Sequence, residues 1–194
     1  MKRIITTAIC LFLITAAFPQ TQKGNVMVGA DLSNLGLDFQ SGNTTFSLNL
    51  TPKAAWFIQD NTALGAEVRL NLVTQKGSTY VGYGVGALGR KYFGDGATNL
   101  ARTTKWFAEA NVGIYGTNTS GGGVSANTNG LGIGIGPGFA YFLNQNIALE
   151  ALAKYNLTVG FGNSTTNNNI GIGLGFQIYL GGKQVQQMAK DTIK

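Results

Sequence analysis

From residue 26 onward the chain alternates between apolar and small or polar positions. In Leu131-Gly-Ile-Gly-Ile-Gly-Pro-Gly-Phe139-Ala-Tyr141 the odd positions are apolar and the even ones small, and in Ile170-Gly-Ile-Gly-Leu-Gly-Phe176-Gln-Ile178-Tyr-Leu180 the even positions are apolar. A period of two separates these residues onto the two faces of a strand, whereas a helix would mingle them. Glycine at this density would also cost a helix about 1 kcal/mol per residue relative to alanine. The pattern predicts eight strands: Val26–Leu32, Phe46–Ile58, Leu64–Leu72, Val81–Phe93, Trp106–Ile114, Leu131–Tyr141, Ile147–Leu157 and Ile170–Leu180. Most approach the roughly 9–11 residues that a tilted membrane strand requires.

The connections differ in kind. Gln59-Asp60-Asn61 and Asn144-Gln145-Asn146 read as tight hairpin turns. Thr117 to Gly130 and Thr158 to Asn169 are uncharged runs of Gly, Ser, Thr and Asn, and read as longer loops. Short turns at one end and long loops at the other predict periplasmic turns and extracellular loops. Gly94 to Lys105 is long for a periplasmic turn.

Splitting each segment by parity gives one face of Val, Leu, Ile, Ala and Phe, uninterrupted by charge until Lys91 at the rim. The opposite face carries Asp31, Lys53, Glu67, Arg69, Arg90, Glu109, Glu150 and Lys154. Four acids thus face four bases, and unpaired charge in such an interior would cost several kcal/mol, so an ion-pair network is expected in the lumen. The fold expected is all-β, an eight-stranded antiparallel up-and-down transmembrane barrel, whose interior is just wide enough to be filled by side chains. Glycines on segments four, six and eight face that interior and leave room for water. The aromatic doublets Trp56-Phe57, Tyr92-Phe93, Trp106-Phe107 and Tyr141-Phe142 all fall at one end of their strands, and predict a periplasmic aromatic girdle. Pro52 and Pro137 remove ladder donors, and each is expected to mark a bulge.

Composition narrows the function. Lys2 and Arg3, then an apolar run from Ile4 to Phe18 with Ala16 and Ala17 near its end, read as a secretory signal. The expected organisation is a cleaved leader over residues 1–22 with the cut between Ala17 and Gln22, a barrel over 23–181, and a polar periplasmic tail over 182–194. Cys10 lies within the leader and the chain has no histidine, so thiol and imidazole chemistry are not expected of the mature protein. The formal charge of +6 comes from scattered cations with no basic stripe, which argues against nucleic acid as a partner. Gly132-Ile-Gly-Ile-Gly136 lacks the Lys-Ser/Thr ending of a phosphate loop. Asp95 and Asn167–Asn169 offer oxygen atoms to Ca²⁺ only weakly, and no cofactor or metal is expected.

Arg90-Lys-Tyr-Phe93, Gly138-Phe-Ala-Tyr-Phe-Leu-Asn144 running into Ile147-Ala-Leu-Glu150, and the last segment Gly175-Phe-Gln-Ile178-Tyr-Leu180 carry a resemblance. The chain resembles the OmpA/OmpX-like small outer-membrane barrels, including the small porin-family barrels. The last segment is similar to the C-terminal signal read by the barrel-assembly machinery. The resemblance implies a monomer in outer-membrane lipid that meets the assembly machinery during insertion, with both termini periplasmic. It does not fix an activity, because such barrels serve as structural proteins, adhesins, narrow pores and lipid-modifying enzymes. The lipid-modifying ones rely on histidine. A non-enzymatic structural or surface-binding role through the extracellular loops, with unidentified ligand, is the leading expectation. A narrow diffusion pore is the alternative. A soluble ligand-carrying barrel would need the opposite polarity, apolar inside and polar outside.

Overall fold

The computed structural model describes residues 19–40, 42–93, 103–121, 123–161, 166–182 and 185. Most of the expected leader, most of the Gly94–Lys105 connection and nearly all of the tail lie outside the described residues. The strands are β1 (Val26–Gln40), β2 (Asn43–Gln59), β3 (Thr62–Gln75), β4 (Ser78–Phe93), β5 (Thr104–Gly121), β6 (Val124–Phe142), β7 (Ile147–Gly160) and β8 (Thr166–Leu180). Each pairs antiparallel with its neighbours in sequence, and β8 closes on β1. Following the ladder from Val26 through Trp56, Leu64, Gly89, Ala110, Ile135 and Tyr155 arrives on β8 at Ile170, whereas Val26 itself pairs with Leu180. That stagger is the shear that tilts strands in a closed barrel.

Alternation separates the two faces. Val85, Val112, Ile133, Ile135, Leu149, Ile172, Leu174 and Phe176 point outward, and Lys53, Glu67, Arg90, Glu109 and Glu150 are buried inside. The outer face is therefore the greasy one, the reverse of a water-soluble protein.

The strands run further than the sequence pattern predicts. Thr117–Gly130 and Thr158–Asn169, expected as loops, are mostly strand: Thr117 pairs with Thr128, Ser120 with Ser125, and Thr158 with Asn167. Long loops are thereby corrected to extended hairpins. The reason is physical. Beyond the apolar belt both faces meet water, so the ladder persists on backbone hydrogen bonds while the amphipathic signal disappears. Gly77 and Gly123, at φ of +80° and +83°, make the tight turns at this end.

β1 was expected to end at Leu32, where alternation changes phase. It continues through a bulge between Leu32 and Asn34. One extra residue flips the parity, so that Leu35, Leu37 and Phe39 face outward after Val28 and Leu32. Pro52 and Pro137 do not mark bulges, a second correction. Pairing with β3 lapses at Thr51 and Pro52, and pairing with β7 lapses at Gly136 and Pro137, but the register is the same on either side of each lapse.

At the end where β1 begins and β8 finishes, Asn61 adopts φ of 61° in the β2–β3 turn. Asn144 Oδ1 accepts from the backbone N–H of Asn146 and Ile147 at 2.8 and 2.9 Å, closing the β6–β7 turn. Gln20 and Thr21 are buried against this end. Lys105 Nζ donates to Thr21 Oγ1 at 2.9 Å and to Asn61 Oδ1 at 2.6 Å.

Candidate functional site

The barrel interior holds every charged residue that parity placed there, and it joins all eight into one network. Lys53 Nζ lies 2.7 Å from Asp31 and 2.9 Å from Glu109. Arg90 spans Glu109 at 2.6 Å and Glu150 at 2.7 Å. Lys154 reaches Glu109 at 2.7 Å and Glu67 at 3.5 Å, and Arg69 lies 3.5 Å from Glu67. Glu109 on β5 is the hub, taking cations from β2, β4 and β7. The charges balance, as a desolvated interior requires.

Neutral groups complete the carboxylates. Gln177 Nε2 donates to Asp31 at 3.0 Å, Tyr115 OH to Glu67 at 2.9 Å, and Tyr179 OH to Glu150 at 2.8 Å. Asn111 Nδ2 donates to Tyr115 OH at 2.8 Å. These four residues were not singled out as site residues, although each sits at an inward parity position of its strand. Their inward parity was the available signal, but uncharged groups carry no bookkeeping of opposite signs to draw the eye. Among the described residues every lumen carboxylate has a cation or a neutral donor beside it. Among the described residues no group of three or more His, Cys, Asp or Glu gathers to hold a metal. Asn168 accepts from Tyr155 OH at 2.9 Å, whereas Asn169 accepts from Asn156 at 3.1 Å and lines the lumen, so the asparagine run does not converge on one point.

The aromatic girdle is corrected by half. Trp56, Phe93, Trp106 and Tyr141 face outward, but Phe57, Tyr92, Phe107 and Phe142 are buried inside. Neighbours along a strand point to opposite faces, so a doublet contributes only one ring to each. The inner rings, with Tyr179, form a plug below Arg90, with centroid separations of 5.9 Å for Phe57–Tyr92, 5.4 Å for Tyr92–Phe107 and 5.2 Å for Phe142–Tyr179. Arg90 stacks on Phe107 at 4.0 Å from the ring centroid and donates to Tyr92 OH at 2.9 Å.

Three lumen glycines, Gly84, Gly132 and Gly138, are seats for aromatic rings. A Cβ on Gly138 would lie 2.2 Å from Phe107, and one on Gly84 or Gly132 would lie 2.0 or 2.3 Å from Tyr115. The interior is filled at these places. Above the network, toward the hairpin end, it opens into a vestibule of about 440 Å³ lined by Asn49, Asn71, Asn156, Tyr80, Tyr115 and Arg69 among others. Arg69, 23 % exposed, is the most accessible charge of the network and stacks on Tyr115 at 4.2 Å.

No protein-family model and no curated protein sequence matches the chain. Solved structures do. The N-terminal β-barrel domain of Pseudomonas aeruginosa OprF is similar with a TM-score of 0.54 at 12% identity, covering 81% of this chain and 98% of that one. Neisserial surface protein A is similar with a TM-score of 0.50 at 20% identity, covering 81% and 97%. The closed ring of eight antiparallel up-and-down strands, apolar without and charged within, is the fold of the small outer-membrane β-barrels.

Proposed function

We propose that the protein is an integral outer-membrane barrel, non-conducting and non-enzymatic, whose extended hairpins present a structural or binding surface outside the cell. One observation carries the non-conducting part. Glu109 ties β2, β4 and β7 together across the lumen, with Arg90 seated on a plug of five buried rings. An ion crossing there would have to displace buried pairs and aromatic side chains together. The apolar outer belt, with Trp56 and Trp106 exposed on one rim, supports residence in a bilayer. Outer-membrane lipid and, during insertion, the barrel-assembly machinery are the partners this reading names, with the chain monomeric and its termini periplasmic.

The hairpin ends support a surface role. Asn118, Asn127, Ser120 and Ser125 on one face, and Thr117, Thr119 and Thr128 on the other, extend the β5–β6 ladder as uncharged polar ribbon. Such a ribbon is rigid where a loop would be mobile, so contact residues are held in place before a ligand arrives. The vestibule favours a second reading, a narrow pore, but it ends on the ion-pair network. Planar-bilayer recording separates the two. A closed baseline is expected, and steady ion-selective steps from the wild-type chain would overturn the proposal.

A further inference from the structure

The wall of the barrel is incomplete on one side. The ladder between β1 and β8 runs only from Val26–Leu180 to Leu32–Leu174. Beyond it β1 continues to Gln40 against β2, and β8 reaches back to Thr166 against β7. Residues 33–40 and 166–173 therefore present two strand edges with no pairing between them, and the divergence begins at the Ser33 bulge. A Cβ on Gly171 would meet no atom within 4 Å, and one on Gly173 would meet only Ser33, Asp31 and Leu32, at 3.6 to 3.9 Å.

The seam leads from one environment to another. Ser33, Gly171 and Gly173 line the vestibule together with Asn156, Asn167 and Asn169. On the outside, Ile170, Ile172 and Leu174 are 79 %, 69 % and 68 % exposed, and Leu35 across the gap is 63 % exposed. Unpaired backbone at membrane depth is tolerated where it borders a water-filled cavity, which is what the vestibule supplies.

We infer that this seam is a lateral portal between β1 and β8, through which an amphiphile places its polar head in the vestibule while its acyl chain stays in the hydrocarbon. This rests on the reading that the belt lies in a bilayer. A wholly apolar molecule would strip water from the asparagines without replacing their hydrogen bonds, and a wholly polar one would gain nothing from the isoleucine flank. The head matched to these walls is neutral or zwitterionic. Amides, hydroxyls and phenols dominate the lining, and its charges, Asp31, Arg69 and Lys154, already have partners in the network. An extended peptide pairing with both edges fits less well, because the gap narrows to ordinary strand spacing at Leu32–Leu174.

The test uses the barrel in nanodiscs and a single-chain phosphocholine as probe, followed by backbone and side-chain amide NMR and by native mass spectrometry. One saturable molecule per chain is expected, with shifts confined to Ser33, Gly171, Gly173 and the amides of Asn156 and Asn169. Gly171→Trp with Gly173→Trp fills the seam and is expected to weaken the probe about tenfold, equivalent to about 1.4 kcal/mol. Shifts spread evenly around the belt would overturn the portal, as would equal binding of the tailless headgroup glycerophosphocholine. Preferential protection of the edge amides by an extended peptide would assign the seam to a strand partner instead. Bilayer recording of the same samples keeps the two proposals distinct. Conductance steps would sink the non-conducting reading without touching probe binding, and loss of saturable binding would sink the portal alone.

Discussion

Arg90 and Glu109 stand directly opposite each other in the β4–β5 ladder and close to 2.6 Å inside the lumen. Register and chemistry agree there, because the strand pairing alone brings the two side chains to the same height on the same face. Glu109 then collects Lys53 and Lys154 from the far walls. Glu109→Gln should take one of two carboxylate partners from each of three buried cations, leave the lumen one negative charge short, and destabilise the barrel by about 3–5 kcal/mol, the usual consequence of breaking a buried pair from one side. Urea unfolding in lipid, followed by gel mobility with and without heating, measures it. Adding Lys154→Met to Glu109→Gln should recover part of the loss. Strict additivity of the two changes would show that they are not coupled.

Gly138 and Gly171 make a matched pair for testing which lumen glycines are structural. A methyl group on Gly138 collides with Phe107, and one on Gly171 enters open space. Gly138→Ala should cost about 1–3 kcal/mol by overpacking. Gly171→Ala should lie within about 0.5 kcal/mol of wild type. Equal costs at the two sites would mean that the ring does not rest on Gly138.

The architecture was legible wherever an apolar face alternates with a small or charged one. Ile133 and Ile135 against Gly132 and Gly134 announce a strand without help from any partner. Legibility failed where that contrast vanished. Asn118 and Asn127 pair in a strand that has water on both sides, so their polarity says nothing about their backbone. It failed again at Ser33, since one extra residue reverses the phase and makes a continuing strand look finished. The charged network was readable because opposite charges in a lumen must cancel. The plug was not, because Trp106-Phe107 as a doublet hides the fact that its members face opposite ways.

The polar hairpin invites truncation. Replacing Thr117–Gly130 with an Asn-Gly turn should leave heat-modifiable mobility intact, because the network and plug lie entirely below it. Barrel stability should change by less than about 1 kcal/mol, since few apolar contacts are lost. Any surface-binding activity of whole cells should fall with the truncation. Retained binding would place the ligand elsewhere.

The two tryptophans of the chain report on the membrane itself. Trp56 and Trp106 are 57 % and 63 % exposed, both on the outer face at the end where β1 begins. An amphipathic ring at a bilayer rim sits at headgroup level, so its fluorescence should respond to depth. In vesicles of lipids brominated near the carbonyl, intrinsic emission should be quenched strongly, and with bromine near the chain terminus much less. Phe107 gives the internal control. Phe107→Trp places an indole inside the plug, beyond contact with lipid, and the added emission should resist both quenchers. If the wild-type emission proved indifferent to bromine at either depth, Trp56 and Trp106 would not face lipid and the belt would need another explanation. If Phe107→Trp were quenched as readily as Trp106, the inward assignment of that ring would fail.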